Sequence, residues 1–179
     1  EKSLIAVDTE TSSLNPLEAD LVGISFSHAP NEAFYIPVAH KSIKGLKKEI
    51  VIEKIKPILE DPSIKKIGQN MKYDYIIFKN NGVEIEPLED TMLLSYTLDA
   101  GNNRHNMDTL SELHLGHKTI SYKDLVGTGK KQLNFSDINL EDATKYAAED
   151  ADITLRLYNL LLDRVNNEKL NKIYDIFEK

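Results

Sequence analysis

The carboxylates that close the first apolar run are the first residues with chemistry to offer. Val7-Asp8-Thr9-Glu10-Thr11 reads as the end of a β-strand. Side chains alternate along a strand, so Asp8 and Glu10 project to the same side. Two hard oxygen donors side by side are the beginning of a divalent-cation site, although an Asp-x-Glu pair at a strand end serves equally well as a turn former. A second element, Gln69-Asn70-Met71-Lys72-Tyr73-Asp74, puts Asn70 and Asp74 at i and i+4, on one helix face. Taken alone, it is an N-cap followed by an exposed acid. The third element, Tyr146-Ala147-Ala148-Glu149-Asp150-Ala151-Asp152, repeats that spacing with Tyr146 and Asp150, and its alanines allow close approach to another element. Asp150 shares its face with Tyr146, Ala147 and Ile153. It therefore turns toward the buried side, where a carboxylate needs a partner or a metal.

These residues must be positioned by the elements around them. β-branched and aromatic runs at 4–7, 21–26 and 33–38, separated by turn signals at 12–16 and 30–31, predict three strands joined by two hairpins. Leu46, Ile50, Ile55, Ile58 and Leu59 recur at helical spacing, which predicts a helix over 46–59 with Pro57 as a kink or early stop. A short strand follows at 64–68. A helix over 71–80 comes next, capped by Asn70 and stopped by Gly82. A strand is expected at 83–85, then helices over 90–98, 107–115 and 140–162. Segment 116–134, with Gly127 and Gly129 among lysines, reads as a loop with one short helix. Its Gly127-Thr128-Gly129-Lys130 lacks the spacing and the preceding strand of a phosphate-binding loop. The pattern predicts an α/β fold: a central mixed five-stranded sheet, three antiparallel strands then alternating helix and strand, flanked by helices on both faces.

With 179 residues, 41% of them hydrophobic, the chain can bury one core, so residues 1–179 are expected to form a single domain. Cysteine is absent, which removes thiolate chemistry and suits a reducing compartment; a cytoplasmic location is expected. No apolar run reaches the roughly 20 residues a bilayer requires, and no signal-peptide pattern opens the chain, so no membrane role is expected. The formal charge of −7 speaks against a polyanionic partner, but ten lysines against five acids give residues 41–79 a local +5 and leave −12 to the rest. An acidic excess gathered at one site would be neutralised by bound divalent cations. The five histidines, His28, His40, His105, His114 and His117, are scattered and read as structural or surface residues. The absence of an initial methionine and the uncapped helical end suggest a piece excised from a longer chain.

Each acidic element has a bland explanation alone; their joint order and the text around them do not. That text runs through Asp8-Thr9-Glu10-Thr11, Tyr35-Ile36-Pro37-Val38-Ala39-His40, Gly68-Gln69-Asn70-Met71-Lys72-Tyr73-Asp74, Asp90-Thr91-Met92-Leu93, Arg104-His105-Asn106-Met107-Asp108 and Tyr146 to Asp152. On these residues the chain resembles, over essentially its whole length, the 3′-to-5′ proofreading exonuclease domain of bacterial DNA polymerase I. That family is a DnaQ-like, ribonuclease H-like exonuclease of the Asp-Glu-Asp-Asp-Tyr type.

The resemblance implies a ribonuclease H-like fold in which Asp8, Glu10, Asp74 and Asp150 organise two divalent ions and Tyr146 orients the attacking water. It also implies that Leu14 and Tyr122 pack against the terminal bases, and that Thr9, Gln69, Asn70 and Arg104 contact the substrate strand. Tyr122 stands where the family pattern has phenylalanine, a change that stacking should survive. Lys145 occupies the position that is histidine in the histidine-type relatives. Hard carboxylates suit Mg²⁺ or Mn²⁺, and the missing cysteines and dispersed histidines argue against zinc. The expected arrangement has Asp8 bridging both ions, Glu10 and Asp150 completing the site of the ion that carries the water, and Asp74 supporting the second through water. Tyr146 would orient that water, because a phenol with a pKa near 10 is a poor base at neutral pH. The expected substrate is the 3′ end of single-stranded or frayed DNA, released as nucleoside 5′-monophosphates by a monomer carrying a polymerase domain in cis, C-terminal to it. RNA trimming by the same constellation is the enzymatic alternative. A catalytically silent DNA-binding or structural domain is the other, and the presence of all four acids speaks against it.

Overall fold

The computed structural model describes residues 3–41 and 46–178; Lys44 of the basic segment lies outside them. Five strands, β1 (Ser3–Thr11), β2 (Leu21–Ala29), β3 (Glu32–Pro37), β4 (Ile64–Gly68) and β5 (Leu88–Asp90), form one sheet in the order β3-β2-β1-β4-β5. The β1–β2 and β2–β3 pairs are antiparallel, and β4 joins β1 and β5 in parallel. The first strand of the sequence is therefore the centre of the sheet.

Both faces are covered, which is why β1 carries apolar residues of either parity. Ala6 turns to one face and joins Ile67 in a core with Leu94 of α3 (Thr91–Asp99), Leu110 of α4 (Met107–Leu115) and Leu157 of the long α6 (Leu140–Asn167). Val7 turns to the other and packs with Val51 and Ile55 of α1 (Lys48–Leu59) and Ile77 and Phe78 of α2 (Met71–Asn80). Ala143, Ala147 and Ala151 are wholly buried and let α6 lie close across β1, β2 and β3. Segment 116–134 holds one short helix, α5 (Tyr122–Val126), followed by a single 3₁₀ turn.

The fifth strand departs from the sequence expectation. It runs over Leu88–Asp90, not 83–85. Val83 and Ile85 are fully buried and alternate as in a strand, but their segment bonds back to helix ends. The Val83 amide donates to Phe78 O at 3.0 Å and the Glu86 amide to Leu59 O at 3.2 Å. Pairing with β4 starts only past the cis Glu86-Pro87 bond. Pro57 stays inside α1, which ends two residues later. Helix α6 runs five residues beyond the expected 162, because Val165 is still core and Arg164 still pairs with Asp99 at 3.0 Å.

Asn70 departs as well. It sits at the N-cap position of α2, but in the left-handed region (φ 62°) and with no side-chain capping bond. The Asp90 carboxylate reaches across from β5 and accepts from the Asn70 and Met71 amides at 3.0 and 2.8 Å. Gly82 stops the helix as expected, at φ 77° just past its C-cap.

Candidate active site

Helix α6 carries Asp150 over the end of β1, where Asp8 and Glu10 face it; one carboxylate oxygen from each of the three lies within 4.8 Å of the others. The register of β1 against β2 shifts between Glu10 and Thr11, a strand-end irregularity of the kind that re-aims side chains beside sites. Across from Glu10 is Gly23, where a Cβ would overlap the Tyr35 ring, so glycine allows Tyr35 to lie over the strand. The Tyr35 hydroxyl is held at 2.7 Å from His40 Nε2, and His40 Nδ1 lies 3.3 Å from Ile138 O.

Asp74 reaches the same strand end from the opposite face. Its Oδ1 accepts from the Thr9 amide at 2.9 Å and from the Thr9 hydroxyl at 2.5 Å. The expected i, i+4 alignment of Asn70 with Asp74 is replaced by a left-handed Asn70 beside the cleft and a buried Asp74 under Thr9. Tyr73, one residue earlier, turns its hydroxyl to Thr11 Oγ1 and Ser13 O, both at 2.5 Å, and so ties α2 to the loop that follows β1.

Burial dominates the electrostatics. It pushes Asp8 and Glu10 well above the carboxylate range, and the neighbouring acids push further: Asp74, Glu10 and Asp150 on Asp8, and Asp150 and Asp74 on Glu10. Burial raises Asp74 to about 7 against the pull of its Thr9 hydrogen bonds. It raises Asp150 to about 8 against the pull of Tyr146, with Glu149 and Asp108 adding to the rise. Among the described residues, Glu10 Oε1 is buried with no hydrogen-bond partner. An acceptor-only set of hard oxygens with an orphaned buried oxygen fits a divalent cation held by Asp8, Glu10 and Asp150. The Tyr146 phenol lies against Asp150; burial raises its pKa, and Asp150, Glu10 and Asp8 raise it further.

A cleft of about 830 Å³ opens above these groups. Leu14, 92% exposed, stands on one lip, and Tyr122 on the other. Tyr122 stacks parallel to the buried Phe135, with ring centroids 6.5 Å apart, and tilts against Tyr146 at 5.8 Å. The walls are joined where Asn134 Nδ2 donates to Ser12 O at 2.8 Å. Of the residues expected to meet substrate, Thr9, Leu14, Asn70 and Tyr122 line the cleft, whereas Gln69 and Arg104 do not. Gln69 bridges instead, donating to His105 O at 2.7 Å and accepting from Thr91 Oγ1. Sequence reading singled out neither Tyr73 nor Asn134, Phe135 or Glu149 for a role. Glu149 accepts from His117 Nε2 at 2.8 Å and the Ile120 amide at 2.6 Å, pinning the segment that leads to Tyr122. Tyr73 and Glu149 stand beside the expected acids in the shared motifs, and that adjacency was their available signal.

The basic segment has none of its described lysines in the cleft lining. Its helix α1 packs on the far side of the sheet, and Lys66 is wholly buried, its ammonium donating to the Asp61, Ile64 and Glu86 carbonyls.

Residues 1–166 match the 3′-5′ exonuclease family. The DNA polymerase I of Rhizobium leguminosarum is 41% identical over 98% of the chain, and that of Pseudomonas aeruginosa 44% identical over 92%. The chain spans only 19% of the length of each. Among solved structures, Brucella melitensis NrnC superposes with a TM-score of 0.74 at 21% identity, covering 97% of this chain and 79% of its own. Escherichia coli RNase D, an exoribonuclease involved in structured RNA processing, superposes with a TM-score of 0.71 at 20% identity, covering 96% and 43%. These likenesses establish the ribonuclease H-like exonuclease fold expected from sequence. Matched by that family over nearly all of its length, and by these relatives at 41–44% identity, the chain belongs to the 3′-5′ exonuclease domain family of DNA polymerase I.

Proposed function

We propose that this domain removes nucleoside 5′-monophosphates from the 3′ end of single-stranded or frayed DNA by metal-dependent phosphodiester hydrolysis. The observation that carries the proposal is the meeting of the Asp8, Glu10 and Asp150 carboxylates within 4.8 Å under a cleft with apolar lips. Two divalent ions of the Mg²⁺ or Mn²⁺ kind, when bound, supply a hydroxide at neutral pH and neutralise charge on the phosphoryl oxygens.

Asp8, Glu10 and Asp150 are the residues that would hold them, with Asp74 supporting the second from behind Thr9. Tyr146 keeps its proton, because its raised pKa leaves even less phenolate at neutral pH than a free phenol would, and it orients the attacking water by hydrogen bonding. Leu14 and Tyr122 offer flat or apolar surface to the terminal bases without reading their edges, so cleavage is independent of sequence. Asn70, released from capping its own helix, is free to meet the strand end. Thr9 holds Asp74, and its own contact with substrate is through its place on the cleft floor. A stacked duplex cannot bring a phosphate to carboxylates at this depth, so the substrate enters as a single strand. The DNA polymerase I relatives support DNA as that strand and a polymerase domain in cis as the partner that delivers it.

The test is a 5′-labelled single-stranded DNA and its RNA counterpart, each with Mg²⁺ or Mn²⁺, with Asp8→Ala as control. A ladder that shortens from the 3′ end with DNA and vanishes in the control is expected. No cleavage with either ion, or equal cleavage by Asp8→Ala, refutes the reading; RNA cleaved in preference to DNA refutes the substrate assignment.

A further inference from the structure

We infer that Asp90, outside the acidic site, is a positioning residue for it: one carboxylate fixes the start of α2 and, through it, the places of Asn70 and Asp74. The inference rests on the exonuclease reading for its purpose and on separate geometry for its substance.

Asp90 ends β5 and pairs with Gly68, the last residue of β4, so its carboxylate overhangs the turn into α2. Oδ1 accepts from the Asn70 amide at 3.0 Å and the Met92 amide at 2.8 Å, and Oδ2 accepts from the Met71 amide at 2.8 Å. One buried side chain therefore caps two helices, α2 and α3, and joins their first turns. Asn, the residue at the α2 N-cap, is a preferred capping type, yet Asn70 makes no side-chain cap. With Asp90 satisfying the amides, Asn70 can adopt its left-handed backbone and line the cleft. Asp74 is one turn further along the same helix, and its Oδ1 meets Thr9 only if that turn is in register. Thr91, the next residue, reinforces the joint by donating to Gly68 O at 3.1 Å and to Gln69 Oε1. A rigid link from the β4–β5 edge to Asp74 is the outer support that a ligating carboxylate requires to keep its aim.

The test compares wild type with Asp90→Asn, which keeps the shape but one acceptor oxygen fewer, and Asp90→Ala. Val51→Ala, in the α1 core remote from the cleft, controls for stability loss alone. Mn²⁺ affinity is read by calorimetry, the Thr9 amide by hydrogen exchange, and cleavage of single-stranded DNA alongside. In Asp90→Asn, Mn²⁺ binding is expected to weaken roughly tenfold, as for other supporting residues, and Thr9 exchange to accelerate as its bond to Asp74 loosens. Val51→Ala, melting at a similarly lowered temperature, should leave both within twofold. If Asp90→Ala does not fold, Asp90→Asn carries the comparison. A folded Asp90→Asn with Thr9 exchange and Mn²⁺ affinity within twofold of wild type overturns the inference, as does an equal change in Val51→Ala. Wild-type protein that binds Mn²⁺ but cleaves no nucleic acid overturns the exonuclease reading instead.

Discussion

The buried acids make the metal-free protein hold protons more tightly folded than unfolded, and that fixes the sign of its response to pH. Burial, with Glu149 and Asp108 adding, lifts Asp150 from 3.8 to about 8, and burial, with Asp90 adding, lifts Asp74 from 3.8 to about 7. A group with a raised folded-state pKa contributes stability that is complete below its unfolded value and is lost as pH rises through the folded one. For these two acids the window of loss runs from about 4 up to about 8. Between pH 5.5 and 8, at about 1.4 kcal/mol per pH unit, Asp150 alone forfeits roughly 3 kcal/mol and Asp74 roughly 2. Because the acids repel one another, the two losses do not simply add, and roughly 3–5 kcal/mol is the expected range. At about 2–4 °C per kcal/mol for a chain of this size, the metal-free melting temperature should fall by roughly 6–20 °C across that interval. Calorimetry in chelator at the two pH values measures it, and saturating Mg²⁺ or Mn²⁺, which takes the same oxygens, should shrink the fall. Asp150→Asn should flatten it and raise stability at pH 8. A metal-free protein at least as stable at pH 8 as at pH 5.5, or a metal effect no larger at pH 8 than at pH 5.5, refutes the electrostatic reasoning.

Tyr146→Phe should lower kcat by roughly 10- to 100-fold while KM for single-stranded DNA stays within about twofold, since the role proposed for the hydroxyl is to orient water and the ring keeps its packing on Tyr122 and Phe135; equal losses in both refute that role. Gly23→Ala should destabilise by roughly 1–3 kcal/mol in urea titration, because its Cβ meets the Tyr35 ring, and should slow cleavage as Tyr35 is displaced from beside Glu10. Lys66→Met should cost about 1–3 kcal/mol by the same titration, because three part-buried carbonyls lose their donor; a neutral effect would show that water replaces the ammonium.

Strand and helix identity was legible wherever period and burial agree. β1 to β4 and α1 to α4 appear where alternation or helical spacing put them, give or take end residues. Val83 and Ile85 misled because periodicity reports which side chains are buried, not which backbone groups pair. Asn70 misled because a capping residue type is visible locally, whereas the Asp90 that does the capping is 20 positions away. The acids at 8, 10 and 150 converge as their motifs suggested, while the tie of Asp74 to Thr9 spans 65 positions and no pattern of either segment contains it. Gln69 and Arg104 stand in the shared motifs, yet the fold turns Gln69 to a structural bridge and leaves Arg104 outside the cleft lining. Lysine count did not reveal placement: α1 packs behind the sheet, and Lys66 is a core cation.

The central place of β1 has a consequence for synthesis. Asp8 waits for Asp150, 142 positions later, and β1, which carries Asp8, must wait for α6 before its second face is covered. At about 5–20 residues per second, roughly 7–28 s separate the two acids as the chain emerges. Throughout that interval a nascent chain can pair β1 with β2 and β2 with β3 but cannot bury Ala6 or shield its carboxylates. The site is thus acquired late and all at once, and a chain interrupted before α6 should present an uncovered sheet face for chaperones to bind and carry no partial nuclease.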